Sequence, residues 1–201
     1  METPRSALAK LRSEQDRGDP EVRAAIMDSM LLCCGEAGYR RVAVEHVYRR
    51  FGGYRSQFYR YFANKAECFE AAYAEEAERL YEELLSHRGE PDGLDRALAG
   101  LGRYVSDEPA RAKAIFIEVH VAGGGALAKR RETLERLARA LDGACRHVGY
   151  SHAPPPMTAE FMISAIDQAV SSALLRGRPG EFADAVPELA MLISNAYRGG
   201  S

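Results

Sequence analysis

Apolar residues recur three and four positions apart along most of the chain, the spacing that places them on one face of an α-helix. Helix-start and helix-stop signals separate these runs from one another. In the first half the clearest signals are the N-cap, proline and acid of Asp19-Pro20-Glu21 and the glycine stop at Gly38. Four helices are therefore predicted here: over about 20–37, from Val44 to the Gly52-Gly53 break, over about 54–61, and from Asn64 to about Ser86.

The second half continues the helical pattern after a turn-rich break at 87–93. Five further helices are predicted at about 94–106, 109–121, 126–148, 158–175 and 181–197. Pro187 either kinks the last helix or marks its true start, because proline is tolerated mainly in a first helical turn. No stretch alternates between apolar and polar residues as a half-buried strand does. The pattern predicts an all-α protein of about nine helices.

The stretch from Val44 to Lys65 is the most distinctive part of the chain. It holds two short amphipathic segments joined by a glycine turn, which bury too little surface to fold alone and fit a helix-turn-helix. Residues 40–65 contain seven basic side chains and one acid, a net charge of +6, whereas the rest of the chain carries −8. A basic segment in an otherwise acidic chain predicts a local site for a polyanion.

The composition argues against several other classes of protein. No apolar run approaches the ~20 residues of a membrane span, and the charged N-terminus lacks the apolar core of a secretory signal. The four cysteines form no Cys-x-x-Cys pair and are expected to be reduced core thiols. The sequence also lacks metal-ligand spacings and the common catalytic or nucleotide-binding motifs. We therefore expect a cytoplasmic protein with no metal, no cofactor and no enzymatic activity.

The segment from about Glu21 to Ala72 resembles the N-terminal domain of the tetracycline-repressor (TetR) family of transcription regulators. The residues that carry the resemblance are Gly38-Tyr39, Val44, Val47, Gly52 and the run Phe58-Tyr59-Arg60-Tyr61-Phe62-Ala63-Asn64-Lys65. The resemblance implies a three-helix DNA-binding domain followed by a helical ligand-binding and dimerisation domain. The expected limits are 1–19 for a flexible or helical N-terminal arm, 20–66 for the helix-turn-helix domain and 67–201 for the second domain.

The resemblance implies that DNA contacts come from the starts of the second, third and fourth helices. The expected residues are Ala43, Arg55, Ser56, Gln57, Tyr59, Tyr61 and Lys65. Arg55 is the first choice for a base contact, because a guanidinium can bond guanine O6 and N7 together. Gln57 is expected to read adenine or to bond a phosphate, and Lys65 to bind a phosphate. Arg49 and Arg50 are assigned to no base.

The resemblance further implies a homodimer, since one such module offers too little contact for tight binding to a palindromic operator in double-stranded DNA. Small side chains on the last two helices would permit the close approach of a four-helix bundle. The interface residues expected are Ala165, Ala169, Ser172, Ala173, Leu189 and Ile193. An apolar small-molecule effector is expected in a pocket formed by Tyr104, Phe116, Glu118, His120, Phe161, Met162 and Gln168.

The function predicted from the sequence is therefore a transcriptional regulator released from its operator by an effector. Repression is the usual mode of the family that the sequence resembles. The alternative is a helical dimeric adaptor or structural protein without an effector switch. Specific binding to duplex DNA that weakens steeply with salt distinguishes the two.

Overall fold

The computed structural model describes residues 19–147, 155 and 157–198, and these form nine helices without a strand. Helices α1 to α4 are Pro20–Ala37, Val44–Arg50, Arg55–Tyr61 and Lys65–Leu85. Helix α5 is Gly93–Asp107, and α6 consists of Pro109–Lys113, a π-helical turn at Ala114–Glu118, and Val119–Ala122. Helices α7 to α9 are Gly124–His147, Thr158–Leu175 and Gly180–Arg198. The all-α prediction is confirmed. None of the described helices is long and apolar enough to cross a membrane.

Local capping explains where the helices begin and end. The Asp19 carboxylate accepts a hydrogen bond from the Glu21 amide at 2.9 Å and caps α1. Asn64 caps α4 in the same way, accepting from the Glu67 amide at 2.9 Å. Gly38, with a φ of 87°, ends α1 in a conformation that favours glycine. Pro187 lies inside α9, which settles the alternative that the sequence left open.

Helices α1, α2 and α3 form a three-helix head around a small apolar core. Met30, Val47 and Phe58 are fully buried in it, one from each helix. A 3₁₀ turn at Tyr39–Arg41, which the sequence did not predict, joins α1 to α2. The ring of Phe69 on α4 meets Tyr39 edge-on, with 5.1 Å between the ring centroids. The first turns of α4 are thus part of the head.

The remaining helices continue the same core into the second domain. One cluster of buried apolar residues extends from Ile26 on α1 to Tyr197 on α9. Helix α7 packs against α4 and α8, and α9 packs against α5. Because α4 contributes to both parts, the predicted domain limit between residues 66 and 67 stays a prediction. The predicted N-terminal arm lies outside the described residues, apart from Asp19.

The four cysteines are free and buried, as predicted for core thiols. Burial raises the pKa of Cys34 to about 12 and that of Cys145 to about 11. Burial also raises the pKa of Cys33 and Cys68. Since the thiolate is the reactive form of cysteine, all four side chains are packing groups in the folded protein.

The head is docked on the second domain through a close contact between α1 and α6. A Cβ added at Gly35 would lie 1.7 Å from the carbonyl oxygen of Ala110, so only glycine allows this approach. Beside it, the Arg111 guanidinium on α6 pairs with Asp28 on α1 and, at 2.5 Å, with Glu108. Backbone contact and ion pairing together set the distance between the two helices.

Gly35→Ala is expected to lower the free energy of unfolding by at least about 1–3 kcal/mol, the usual cost of overpacking. Gly143→Ala on α7 is the matched control, because nothing lies within 4 Å of a Cβ at that position. There the higher helix propensity of alanine should stabilise the protein by about 0.5–1 kcal/mol. Urea unfolding followed by circular dichroism measures both changes. A Gly35→Ala protein as stable as the wild type would contradict the close contact between α1 and α6.

Candidate DNA-binding face and ligand cavity

The first turn of α3 presents a row of exposed polar and aromatic side chains. Tyr54, Arg55, Ser56 and Tyr59 are all exposed. The Arg55 guanidinium carbon lies 5.4 Å from the centroid of the Tyr59 ring, which itself packs edge-on against buried Phe58. Arg55 has no ion pair within the described part of the chain, so its charge is available to a ligand. Tyr54 was not singled out from the sequence, although its place just before Arg55 was a signal for it.

Two of the predicted DNA-contact residues take part in helix capping. Oε1 of Gln57 accepts a hydrogen bond from the Tyr54 amide at 2.9 Å, and Nδ1 of His46 accepts one from the Ala43 amide at 3.0 Å. Each bond satisfies a backbone N–H at a helix start. Ala43 is exposed there, with its amide used by His46. Reading adenine with both amide groups of Gln57 would require its cap to break, because Oε1 is already used.

Tyr61 and Lys65 form hydrogen bonds within the head. The Tyr61 hydroxyl accepts from the amide of Asp19 at 2.8 Å and so ties α3 to the start of α1. Nζ of Lys65 donates to the carbonyls of Tyr39 at 2.9 Å and Val42 at 3.0 Å. It also lies 4.1 Å from the Tyr39 ring centroid. Lys65 therefore supports the 3₁₀ turn, and its role as a phosphate ligand stays a prediction.

The basic residues of segment 40–65 differ in how far their charge is neutralised. Arg50 makes two hydrogen bonds to Glu36 on α1, at 2.6 and 2.8 Å, and they hold the pKa of the Glu36 carboxyl below its usual value. Arg49 pairs with Glu45 one turn away at 2.6 Å. These pairings are consistent with leaving Arg49 and Arg50 out of base recognition. Both lie on α2, whereas Arg55 lies in the first turn of α3, where it is exposed.

Glu118 connects the second domain to the head. This carboxylate is 7% exposed, and its Oε2 accepts a hydrogen bond from the Tyr39 amide at 2.7 Å. The 3₁₀ turn is thus held from α6 by Glu118 and from α4 by Lys65. Glu118, which was predicted for the effector pocket, lies at the domain junction and does not line the apolar cavity. The π-helical turn that ends at Glu118 aims this side chain at the head, and no sequence signal predicted that turn.

A second junction network surrounds Glu76 on α4. The Tyr104 hydroxyl donates to this carboxylate at 2.9 Å, Arg79 pairs with it at 2.7 Å, and Arg111 lies 3.7 Å away. Burial raises the pKa of Glu76, but these hydrogen bonds and charges outweigh burial and the pKa is lowered overall. Arg111 extends the network to Asp28 in the head. Tyr104, predicted for the effector pocket, uses its hydroxyl here instead.

A largely apolar cavity of ≈ 170 Å³ lies among helices α4 to α8. Leucine, isoleucine and phenylalanine side chains form much of its wall, among them Leu80, Leu98, Ile115, Phe116, Leu134 and Ile166. Phe116 alone of the seven predicted pocket residues lines it. Phe116 and its neighbour Ile115 lie in the π-helical turn Ala114–Glu118. The same turn therefore contains both a part of the cavity wall and the junction residue Glu118.

The other predicted pocket residues lie outside this cavity. They are Tyr104 and Glu118, at the junction networks, and His120, Phe161, Met162 and Gln168. Phe161 is 75% exposed, and His120 and Gln168 are also exposed. The face of α8 that lines the cavity instead carries Ile163, Ile166 and Asp167. Both faces of α8 bear apolar residues, so periodicity did not identify the inner one.

One buried ion pair lies in the cavity wall. Arg130 on α7 is 5% exposed and pairs with Asp167 on α8 at 2.5 Å. The second carboxylate oxygen of Asp167 is buried without a hydrogen-bond partner among the described residues. Burial raises the pKa of the neighbouring Tyr73 to about 12 despite the nearby charge of Arg130. Within the described ranges, no three histidine, cysteine or acidic side chains are grouped as metal ligands.

The predicted dimer-interface residues divide into two groups. Ala173 and Ile193 are each 1% exposed and belong to the core, so their assignment to an interface is corrected. The other four are exposed or half-buried: Ala165, Ala169, Ser172 and Leu189. Large apolar side chains are exposed on the same two helices, namely Phe161 and Leu175 on α8 and Met191 and Leu192 on α9.

Comparison with known families identifies the head. The model of the family described as bacterial regulatory proteins, tetR family, matches residues 26–72. This range runs from the middle of α1 into α4 and includes the whole exposed row of α3. The resemblance inferred from the sequence is confirmed. No curated protein matches the chain in sequence.

Solved structures of bacterial regulators share the fold over both domains. The fatty acid degradation regulator FadR from Bacillus halodurans has a TM-score of 0.76 at 16% identity, with 91% of this chain and 99% of that chain covered. FadR from Bacillus subtilis, solved in complex with stearoyl-CoA, has a TM-score of 0.73 at 16% identity and coverages of 86% and 97%. SmeT, the repressor of a Stenotrophomonas maltophilia multidrug efflux pump, has a TM-score of 0.65 at 22% identity, with 87% of each chain covered.

Proposed function

We propose that this chain, a member of the tetR family of bacterial regulatory proteins through residues 26–72, is a repressor that binds a palindromic operator as a homodimer. A small molecule bound in the cavity releases it from DNA. The observation that carries the proposal is the exposed row on α3, in a domain that matches the family. The binding of a duplex, rather than catalysis, is the activity proposed.

The DNA contacts start from Arg55, at the N-terminal end of α3. The first turn of such a helix enters the major groove, where an arginine can bond guanine in two places. Stacking against Tyr59 limits the rotamers of Arg55 and so favours one orientation of its guanidinium toward a base. Ser56 and Tyr59 supply neighbouring contacts, while Gln57, Tyr61 and Lys65 keep the helix in position through the hydrogen bonds described above.

The dimer interface is proposed along α8 and α9. Exposed or half-buried residues at Phe161, Ala165, Gln168, Ser172 and Leu175 follow one stripe of α8 without a charged side chain. Met191 and Leu192 on α9 add to the exposed apolar surface. Exposed apolar patches of this kind are typical of association surfaces. A two-fold axis would pair each stripe with its own copy and so close the assembly as a dimer.

The release mechanism is proposed to act through the π-helical turn of α6. Ile115 and Phe116 line the cavity, and Glu118 in the same turn binds the amide of Tyr39 in the head. A ligand that fits the cavity better in one arrangement of this turn shifts the head toward the matching orientation. A neighbour of the same fold is described in complex with stearoyl-CoA, which supports a small-molecule site in this architecture.

The alternative is a helical dimeric adaptor that uses the α8 and α9 surface and has no effector switch. It predicts no sequence preference in gel-shift titrations with duplex DNA. A regulator instead shows specific binding whose affinity falls steeply as salt concentration rises, since phosphate contacts release counterions.

Arg55→Ala is expected to weaken discrimination at one base pair of each half-site by about 1–3 kcal/mol. The wild type first selects its preferred duplexes from a random pool. Titrations of both proteins with versions of these duplexes, each with one base pair substituted, then measure the change. Arg49→Ala is the matched control, because Arg49 lies in the same head but is paired with Glu45. It should leave base preference unchanged. Equal loss of affinity for every sequence in Arg55→Ala would remove Arg55 from base recognition.

The double substitution Phe161→Glu with Leu192→Glu is expected to convert a wild-type dimer to monomer. Burying two added charges per subunit should weaken association by roughly 100-fold or more, about 3 kcal/mol. Light scattering coupled to size-exclusion chromatography measures the mass. Leu127→Glu, at an exposed apolar residue of α7, is the control and should stay dimeric. A dimer that persists in the double variant would place the interface elsewhere.

A further inference from the structure

We propose that the apolar cavity and an arginine-lined vestibule at its mouth form one site for an amphiphile with a hydrocarbon chain and an anionic head group. That this ligand is the effector rests on the proposed function. That the ligand binds to the protein does not, because this binding can be measured without DNA. The observation that carries it is that the two spaces share a wall of six residues.

The vestibule is a second cavity between the C-terminal end of α4 and the middle of α7. It shares six lining residues with the apolar cavity: Tyr81, Leu85, Arg88, Gly89, Ala140 and Ala144. The rest of its wall comes from Arg136, Arg139 and Gly143. A ligand that enters the apolar cavity at this end therefore passes three arginines, and no acidic residue lines the vestibule.

The three arginines differ in what they can offer a ligand. Arg136 is held by two hydrogen bonds to Glu78, at 2.6 and 2.8 Å, and stands 3.9 Å from the Tyr81 ring centroid, so it forms a fixed wall. Arg88 and Arg139 are exposed, and their side chains have no ion pair within the described ranges. Two guanidinium groups with free donors suit a carboxylate or a phosphate, which they can bind in bidentate fashion.

The charges inside the cavity decide which end of the amphiphile enters. Arg130, deep in the wall, is already neutralised by Asp167 at 2.5 Å. The unpartnered oxygen of Asp167 would repel an anionic head group in this low-dielectric space. Glu90, at the rim, is paired with Arg96 at 3.0 Å and does not oppose an anion in the vestibule. The head group therefore stays in the vestibule, and the chain extends inward.

The length of the apolar cavity suits a chain of medium length. One face of α7 lines it, with residues Arg130, Thr133, Leu134, Leu137 and Ala140. From Arg130 to Ala140 this face spans about 15 Å at the 1.5 Å helical rise per residue. An extended chain advances by about 1.2 Å per bond, from the reach of ~3.3–3.6 Å per three backbone bonds. The lining face of α7 is thus as long as an extended chain of roughly twelve carbons that ends at the Arg130–Asp167 pair.

Calorimetric titration of the full chain without DNA tests the site. The probes are dodecanoyl-CoA, dodecanoate, 1-dodecanol and coenzyme A, and the variant is Arg88→Ala with Arg139→Ala. The wild type is expected to bind at least one of the two anionic dodecyl probes roughly tenfold or more tighter than dodecanol. The double variant should lose that preference and bind dodecanol within about twofold of the wild type. Arg103→Ala with Arg131→Ala, two exposed arginines outside both cavities, should change nothing.

The same titrations distinguish the sources of the negative charge and define the failures. Tighter binding of dodecanoyl-CoA assigns a phosphate head group, tighter binding of dodecanoate assigns a carboxylate, and both results support the site. Equal binding of dodecanol and both anions by the wild type would overturn it. So would undiminished anion binding in the double variant, or coenzyme A binding as tightly as dodecanoyl-CoA. If an anionic dodecyl probe binds the wild type as expected but does not change its affinity for the operator, the proposed release mechanism is refuted and this site is not.

Discussion

The orientation of the head depends on the contact between α1 and α6. At Gly35 the two backbones come so close that a single Cβ would overlap the carbonyl of Ala110. Arg111 adds charge pairing with Asp28 at the same contact. A junction made of backbone contact and paired polar groups resists gradual deformation, because close-packed interfaces have few alternative arrangements. The position of α3, and so the direction in which Arg55 points, follows from this junction.

The π-helical turn of α6 gives this junction a connection to the ligand cavity. Phe116 lines the cavity, while Glu118, two residues later, bonds the amide of Tyr39. On the other side of the same 3₁₀ turn, Lys65 bonds two backbone carbonyls from the start of α4. Helix α4 also lines the cavity further along its length, with Leu80. Two of the helices that line the cavity, α4 and α6, therefore also hold the turn that leads into α2.

Helix ends could be predicted from the sequence because caps are local: Asp19, Gly38 and Asn64 each act within a few residues. The candidate DNA face could be predicted for a similar reason, since its residues lie in one short stretch, Val44 to Lys65, with two helices and a glycine turn. The inner face of α8 could not, because Phe161 and Ala173 are both apolar and only tertiary packing leaves the first exposed and the second buried. The role of Glu118 was equally hidden. It depends on a π-helical turn and on a partner 79 residues away in the chain.

Hydrogen exchange at the Tyr39 amide tests the central claim most directly, that Glu118 holds the head from α6. In Glu118→Ala this amide loses a charge-assisted hydrogen bond of ~1.5–3 kcal/mol, so exchange there should accelerate by about tenfold or more. Exchange in α2 should accelerate with it, while α8 and α9 stay as protected as in the wild type. His120→Ala, at an exposed residue of the same helix, should leave all of these rates unchanged. Unaltered exchange at Tyr39 and in α2 of Glu118→Ala would contradict the claim.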